Sequence, residues 1–198
     1  MTQKPYSESK ERLLEVARRM FHQRGYNAVS MNDIARELNM RKASLYHHVP
    51  NGKEELFVEV SRRQFEEHRE GLSEATERAD KDIRSQLQAA MSWFVANAPL
   101  GLLAMLQSDM PAISDASEAL LNFESRRCLW MPLRRIFEEA QTSGEITGGN
   151  PDSMTGAFLS LMDGLTYIGT SGRTPETMEQ MGVHLLDMIL FGLLPREM

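Results

Sequence analysis

Leu13, Leu14, Ala17, Met20 and Phe21 recur at the i, i+1, i+4, i+7, i+8 spacing of one helical stripe. With Ser7 or Ser9 available as a cap and Gly25 placed as a stop, the pattern predicts a first helix over about Ser9 to Arg24. Ser30 then offers an N-cap with Asp33 three residues on, a carboxylate variant of the capping box, and Ile34, Ala35 and Leu38 share one face. The second helix is therefore short and ends near Leu38. Asn39 tolerates a left-handed backbone and turns the chain into a third short helix, about Lys42 to His48. Pro50-Asn51-Gly52 stops it, and Lys53-Glu54-Glu55 opens a much longer fourth helix.

The helical period continues through Ile83, Leu87, Ala90, Met91 and Phe94, then through a short piece at Leu102 to Gln107 and a break at Met110-Pro111. A long helix comes next, from about Asp115 to Ser143, with Leu129, Leu133, Ile136, Phe137 and Ala140 on one side and a bend expected at Pro132. A loop at Gly144, Gly148-Gly149 and Pro151 precedes two last helices, about Asp152 to Thr170 and Pro175 to Leu194, separated by Ser171-Gly172-Arg173. No strand-like alternation competes. The fold class is all-α: a helix-turn-helix domain over residues 1–56 and a helical bundle over residues 57–198, about nine helices together.

Composition adds a division of charge. The net charge of −6 over 198 residues conceals a surplus of four positive charges in residues 1–63 and of ten negative charges in residues 64–198. A basic head on an acidic body approaches a polyanion in one orientation. The lone Cys128 excludes an internal disulfide framework and a multi-cysteine metal site. The longest apolar stretch, Leu185 to Leu194, is half a bilayer span, and no basic segment with an apolar run opens the chain, so a cytoplasmic protein is expected.

With Leu45 facing inward, Ala43 and His47 lie about 160° away around the third helix, and Ser44 and Tyr46 about 100° to either side. These four point outward. The small Ala43 lets the helix axis sit deep in a major groove, Lys42 reaches guanine O6 and N7, and Tyr46 and His47 meet phosphate or a thymine methyl. Arg41 and His48, at the two ends, are placed as backbone contacts. Ser30 at the start of the second helix and Lys53 at the start of the fourth are candidate phosphate clamps.

The stretch "AVSMNDIARELNMRKASLYHHVPNGKEELF", with Ile34-Ala35, Leu45-Tyr46 and Lys53-Glu54-Glu55-Leu56 at their spacing, resembles the DNA-binding domain of the TetR family of transcriptional regulators over residues 10–56. Val49 stands where many members carry Phe, Asn39 replaces a common turn Gly, and Arg41 replaces a capping Ser. The resemblance implies a homodimeric regulator of operator DNA, most readily a repressor released by a small apolar or amphipathic effector bound in the second domain.

For that effector, Trp93, Phe94, Met105, Met110, Trp130, Phe137, Phe158 and Met162 supply apolar material, and Gln107, Asp109, Asp163 and Tyr167 are the polar groups beside it. The same residues would serve equally as plain core. For dimerisation, Gly156, Ser160 and Gly164 repeat every four residues, and Val183, Leu186, Ile189, Leu190 and Leu193 belong to a final helix apolar nearly all round. Two such helices from each subunit make a four-helix interface.

Catalysis has no support. His47 and His48 are adjacent and cannot share a metal as an i, i+4 pair does, and HExxH, glycine-rich phosphate and GxSxG motifs are absent. No cofactor, metal or membrane is expected. The competing reading is a helical interaction module that presents the Tyr-His-His helix to a protein groove.

Overall fold

The computed structural model describes residues 8–97, 105–170 and 176–193. The expectations at Ser7, Leu102, Ser171-Gly172-Arg173, Pro175 and Leu194 lie outside them. The elements are α1 (Glu8–Ala28), α2 (Met31–Glu37), α3 (Lys42–His48), α4 (Lys53–Arg78) and α5 (Ile83–Ala96), a π turn (Met105–Asp109), a 3-10 turn (Met110–Ala112), α6 (Asp115–Ser125), a second π turn (Arg126–Trp130), α7 (Met131–Ser143), α8 (Pro151–Thr170) and α9 (Met178–Leu193). Among the described residues all regular structure is helical. They group into two compact units, one drawn from residues 1–65 and 104–124 and the other from 66–103 and 125–198.

In the first unit, α1 buries the predicted stripe of Leu13, Leu14, Ala17, Met20 and Phe21. Gly25 does interrupt the helix, with φ +73° and ψ 165°, but the chain resumes helical turns to Ala28, four residues past the expected end. The kink leads Tyr26 into an aromatic cluster, 5.0 Å from Phe57 and 6.1 Å from Phe21, while Phe21 meets Phe57 edge-on at 5.3 Å. Val29, Ile34, Leu38, Leu45, Val49 and Leu56 complete a buried core. Asn39 takes the left-handed conformation, φ +52°, and the Met40 amide closes the turn on the Ala35 carbonyl at 2.9 Å.

The strap 105–124 belongs to this first unit. The Asp109 carboxylate accepts the Tyr26 amide at 2.8 Å, and the Asn27 side chain reaches the Ser108 carbonyl at 3.5 Å. Ser114, through amide and hydroxyl, and the Ser117 hydroxyl all donate to the Glu54 carboxylate, which holds it below its ordinary pKa. Arg62 of α4 binds the buried Glu124 at 3.2 Å.

In the second unit, α5 packs against α7, α8 and α9, with Leu87, Met91, Phe94, Leu133, Phe137, Phe158 and Leu190 at its centre. Gly71 of α4 marks a close approach, since a Cβ there would lie 2.0 Å from the Trp93 ring. The irregularity expected at Pro132 appears as the π turn 126–130 just before it. A proline ring crowds the carbonyl four residues earlier, here that of Cys128, and a wider turn relieves the clash.

Candidate nucleic-acid interface

Two helices of seven residues, joined by Leu38 to Arg41, form the helix-turn-helix of the first unit. The N-terminus of α2 is closed by a reciprocal capping box: the Ser30 hydroxyl accepts the Asp33 amide at 3.2 Å, and the Asp33 carboxylate accepts the Ser30 amide at 3.0 Å and its hydroxyl at 2.6 Å. The Ser30 contacts, hydroxyl first, hold the Asp33 carboxyl below its ordinary pKa. Ser30 is exposed, and its hydroxyl is engaged with Asp33.

Helix α3 rests on one anchor. Leu45 is 0% exposed, while Arg41, Lys42, Ala43, Tyr46 and His47 are exposed and Ser44 is half-buried. Arg41 occupies the N-cap without a side-chain hydrogen bond, so its guanidinium is not spent on the helix end. The Tyr46 ring leans over the turn, where a Cβ on Gly52 would lie 3.5 Å from it. His48 is half-buried, with Nε2 3.1 Å from the Ser9 hydroxyl, which ties the end of α3 to α1.

Lys53 differs from the open clamp expected of it. Its ammonium donates to the Tyr26 carbonyl at 3.0 Å and lies 3.8 Å from the centroid of the Tyr26 ring. Burial lowers its pKa, and the Asp109 charge offsets part of that. Burial, and then the Glu54 charge, raise that of the Tyr26 phenol.

The effector candidates divide between the units. Met105, Asp109 and Met110 belong to the first, where Met110 is buried and Asp109 is engaged with Tyr26, a structural tie rather than a group turned toward a ligand. The Gln107 side chain lies outside the described residues. In the second unit Phe94, Phe137, Phe158 and Met162 are buried, Trp93, Trp130 and Asp163 half-buried, and Tyr167 is 64% exposed, which takes it away from an enclosed wall. The Trp93 indole donates to His68 Nδ1 at 3.3 Å, and the Trp130 indole to Asp152 at 2.8 Å. His68, 3% exposed and 5.7 Å from the Phe94 ring centroid, is a polar member of that interior which sequence reasoning missed. Its signal was its place between Phe65 and Leu72 on the apolar stripe of α4.

The interface candidates need correction in three places. Leu186 and Leu190 are buried in the core of their own unit, and Gly156 faces the Trp130 ring, 3.2 Å from the position its Cβ would take. The polar His184 and Asp187 of α9 lie on the side of the helix away from these buried leucines. The open apolar side of α9 is carried by Met188 and Phe191, 72% and 73% exposed. Ser160 is exposed and Gly164 has open space before it, whereas Val183 and Ile189 are half-buried. The Leu193 side chain lies outside the described residues.

Among the described residues no helix is long and apolar enough to cross a membrane, and no group of three His, Cys, Asp or Glu side chains is placed to hold a metal ion.

The same architecture, a small helix-turn-helix unit and a helical bundle, occurs in known bacterial regulators. Residues 13–60 match the model for bacterial regulatory proteins of the tetR family. The chain is 32% identical over 108 residues to the HTH-type transcriptional regulator LmrA of Bacillus subtilis, a match that covers 50% of this chain and 57% of LmrA. The chain thus spans little more than half the length of that curated relative. Over 97% of this chain and 100% of the other, it superposes with a TM-score of 0.70 and 27% identity on PfmR, a TetR family regulator from Thermus thermophilus. It also superposes on AibR, with a TM-score of 0.76 and 23% identity over 91% of this chain and 97% of that one. Over residues 13–60 the chain thus resembles the N-terminal domain of the tetR family of bacterial regulatory proteins.

Proposed function

We propose that this protein is a sequence-specific DNA-binding transcriptional regulator, a cytoplasmic homodimer that represses from its operator and is released by a small molecule. The observation that carries this reading is the outer face of α3. Arg41, Lys42, Ala43, Tyr46 and His47 stand in solvent around a helix whose one buried side chain is Leu45. Such a face presents two cations, a small residue and two hydrogen-bonding rings at the diameter a major groove accepts. Residues 1–56 read DNA, and residues 57–198 serve the effector and the second subunit. The apolar, methionine-bearing interior around His68 and Trp93 suits an apolar or amphipathic effector. Tyr167, Ile168, Met188 and Phe191, exposed on α8 and α9, suit a second copy. AibR, solved with isovaleryl coenzyme A and operator DNA, is a precedent for the combination.

The test starts with selection of bound sequences from a random duplex library by the wild-type protein. Tyr46→Ala should then lose the selected sequence in a gel-shift assay while helicity and dimer mass stay unchanged. Specific binding by that variant would remove α3 from the groove.

A further inference from the structure

We infer that Asp109 is a built-in competitor for Lys53: its carboxylate helps to hold the lysine ammonium on Tyr26 and away from the DNA phosphate that a cation at the start of α4 would meet. The inference rests on the proposed DNA-binding function and concerns its regulation.

The arrangement begins with Gly25. Its positive φ breaks the helical ladder, so the amide of Tyr26 is satisfied by a side chain distant in sequence, and its carbonyl, which accepts the Val29 amide at 3.3 Å, receives a second distant side chain as well. The amide goes to Asp109 Oδ1 at 2.8 Å, and the carbonyl receives Lys53 Nζ at 3.0 Å. An anion and a cation are thereby fastened to the two ends of one residue, with the ammonium also over the Tyr26 ring at 3.8 Å. Gly25 leaves room for the anion, since a Cβ there would come within 3.2 Å of Asp109 Oδ1.

Lys53 opens α4, and the start of a helix favours a phosphate. A lysine on a four-carbon stem can serve either partner. On the Tyr26 side the carbonyl and ring supply only dipoles, and Asp109 supplies the full opposite charge. The balance is therefore set by a residue at the end of the π turn Met105–Asp109, outside the helix-turn-helix in sequence and bound to it in space. Any event that draws this turn away from Tyr26 frees one positive charge per subunit for DNA.

The experiment measures binding of a short random-sequence DNA duplex by fluorescence anisotropy as a function of salt, with wild type, Asp109→Asn, Lys53→Met and the double variant. Asparagine keeps an oxygen for the Tyr26 amide and removes the charge. Asp109→Asn should bind roughly two- to fivefold tighter, the scale of a part-exposed ion pair, and its salt slope should steepen by about 0.9 per subunit. In the Lys53→Met background the same change should do nothing. Unchanged or weaker binding by Asp109→Asn, or an equal gain without Lys53, overturns the inference and leaves the proposed function standing. A wild-type protein that binds the duplex without salt dependence, or not at all, overturns both. A second measurement needs no variant at position 109: the ring-current shift that Tyr26 imposes on the Lys53 ε-methylene should collapse when duplex is added to wild type. Its persistence at saturation overturns the inference.

Discussion

Helices α2 and α3 are both seven residues long and neighbours in the chain, yet they are held in opposite ways. Helix α2 buries Met31, Ile34 and Ala35, and its N-terminus is closed by the Ser30–Asp33 box. Helix α3 buries only Leu45, and its N-cap is an arginine that makes no cap. An isolated helix of this length is unstable in water, so each must borrow its stability. Helix α2 borrows from its cap and three apolar contacts. Helix α3 borrows from one leucine, from the bond of His48 to Ser9 and from the turns on either side, which leaves Lys42, Ala43, Tyr46 and His47 exposed. The difference separates a support from a probe within one motif.

The strongest way to break this comparison is Leu45→Ala. Removal of the one buried anchor should cost about 2–5 kcal/mol in urea unfolding, as for other buried leucines, and a cost well under that range would mean that α3 is held by something else. Next in size, Lys42→Ala should weaken operator binding by about 1–3 kcal/mol and relax base preference at one position per half-site, with no change in unfolding. An unaltered selection profile would show that Lys42 reads no base.

On the supporting helix, Ser30→Ala should cost about 1 kcal/mol of stability through the lost cap. It also carries a pH signature. The Asp33 carboxyl is held low in the folded protein, chiefly by the Ser30 hydroxyl, so its contribution is fully present above the ordinary carboxylate range. That contribution is lost as pH falls through the depressed folded value. Ser30→Ala should therefore flatten the acid side of the stability curve, and an unchanged acid limb would count against the box. Smallest of all, Arg41→Ser gives α3 the cap it lacks. It should raise stability by about 0.5–1 kcal/mol in urea unfolding while it weakens duplex binding in the gel shift, and a gain in both would contradict the division of labour.

Sequence served well wherever structure is set by near neighbours. The bounds of α2 and α3 are set by Ser30, Asn39 and Pro50, and Gly25 was legible as a break because only the local backbone is at stake. The four further residues of α1 were not, because the path of the chain beyond Gly25 depends on Tyr26 finding Phe57 and Asp109. The attachment of the strap 105–124 to the first unit was equally hidden. The bond from Tyr26 to Asp109 spans 83 positions, and nothing at either end announces the other. For the same reason Lys53 was legible as a charge at a helix start but not as one already engaged with a carbonyl and a ring. Helix α9 failed differently: His184 and Asp187 share a face with Met188 and Phe191 and mark it as the outer one, a signal that the apolar residues alone do not carry.

Both tryptophans of the chain sit in the second unit, each with its indole N–H bonded to a titratable partner, His68 for Trp93 and Asp152 for Trp130. The molecule thus carries its own optical label on one unit only. Emission excited at the indole band watches the bundle alone, since the helix-turn-helix domain carries Tyr6, Tyr26 and Tyr46 but no tryptophan. Metabolites can accordingly be screened by quenching of unlabelled protein, and DNA can be titrated in without adding a direct signal from the end proposed to bind it.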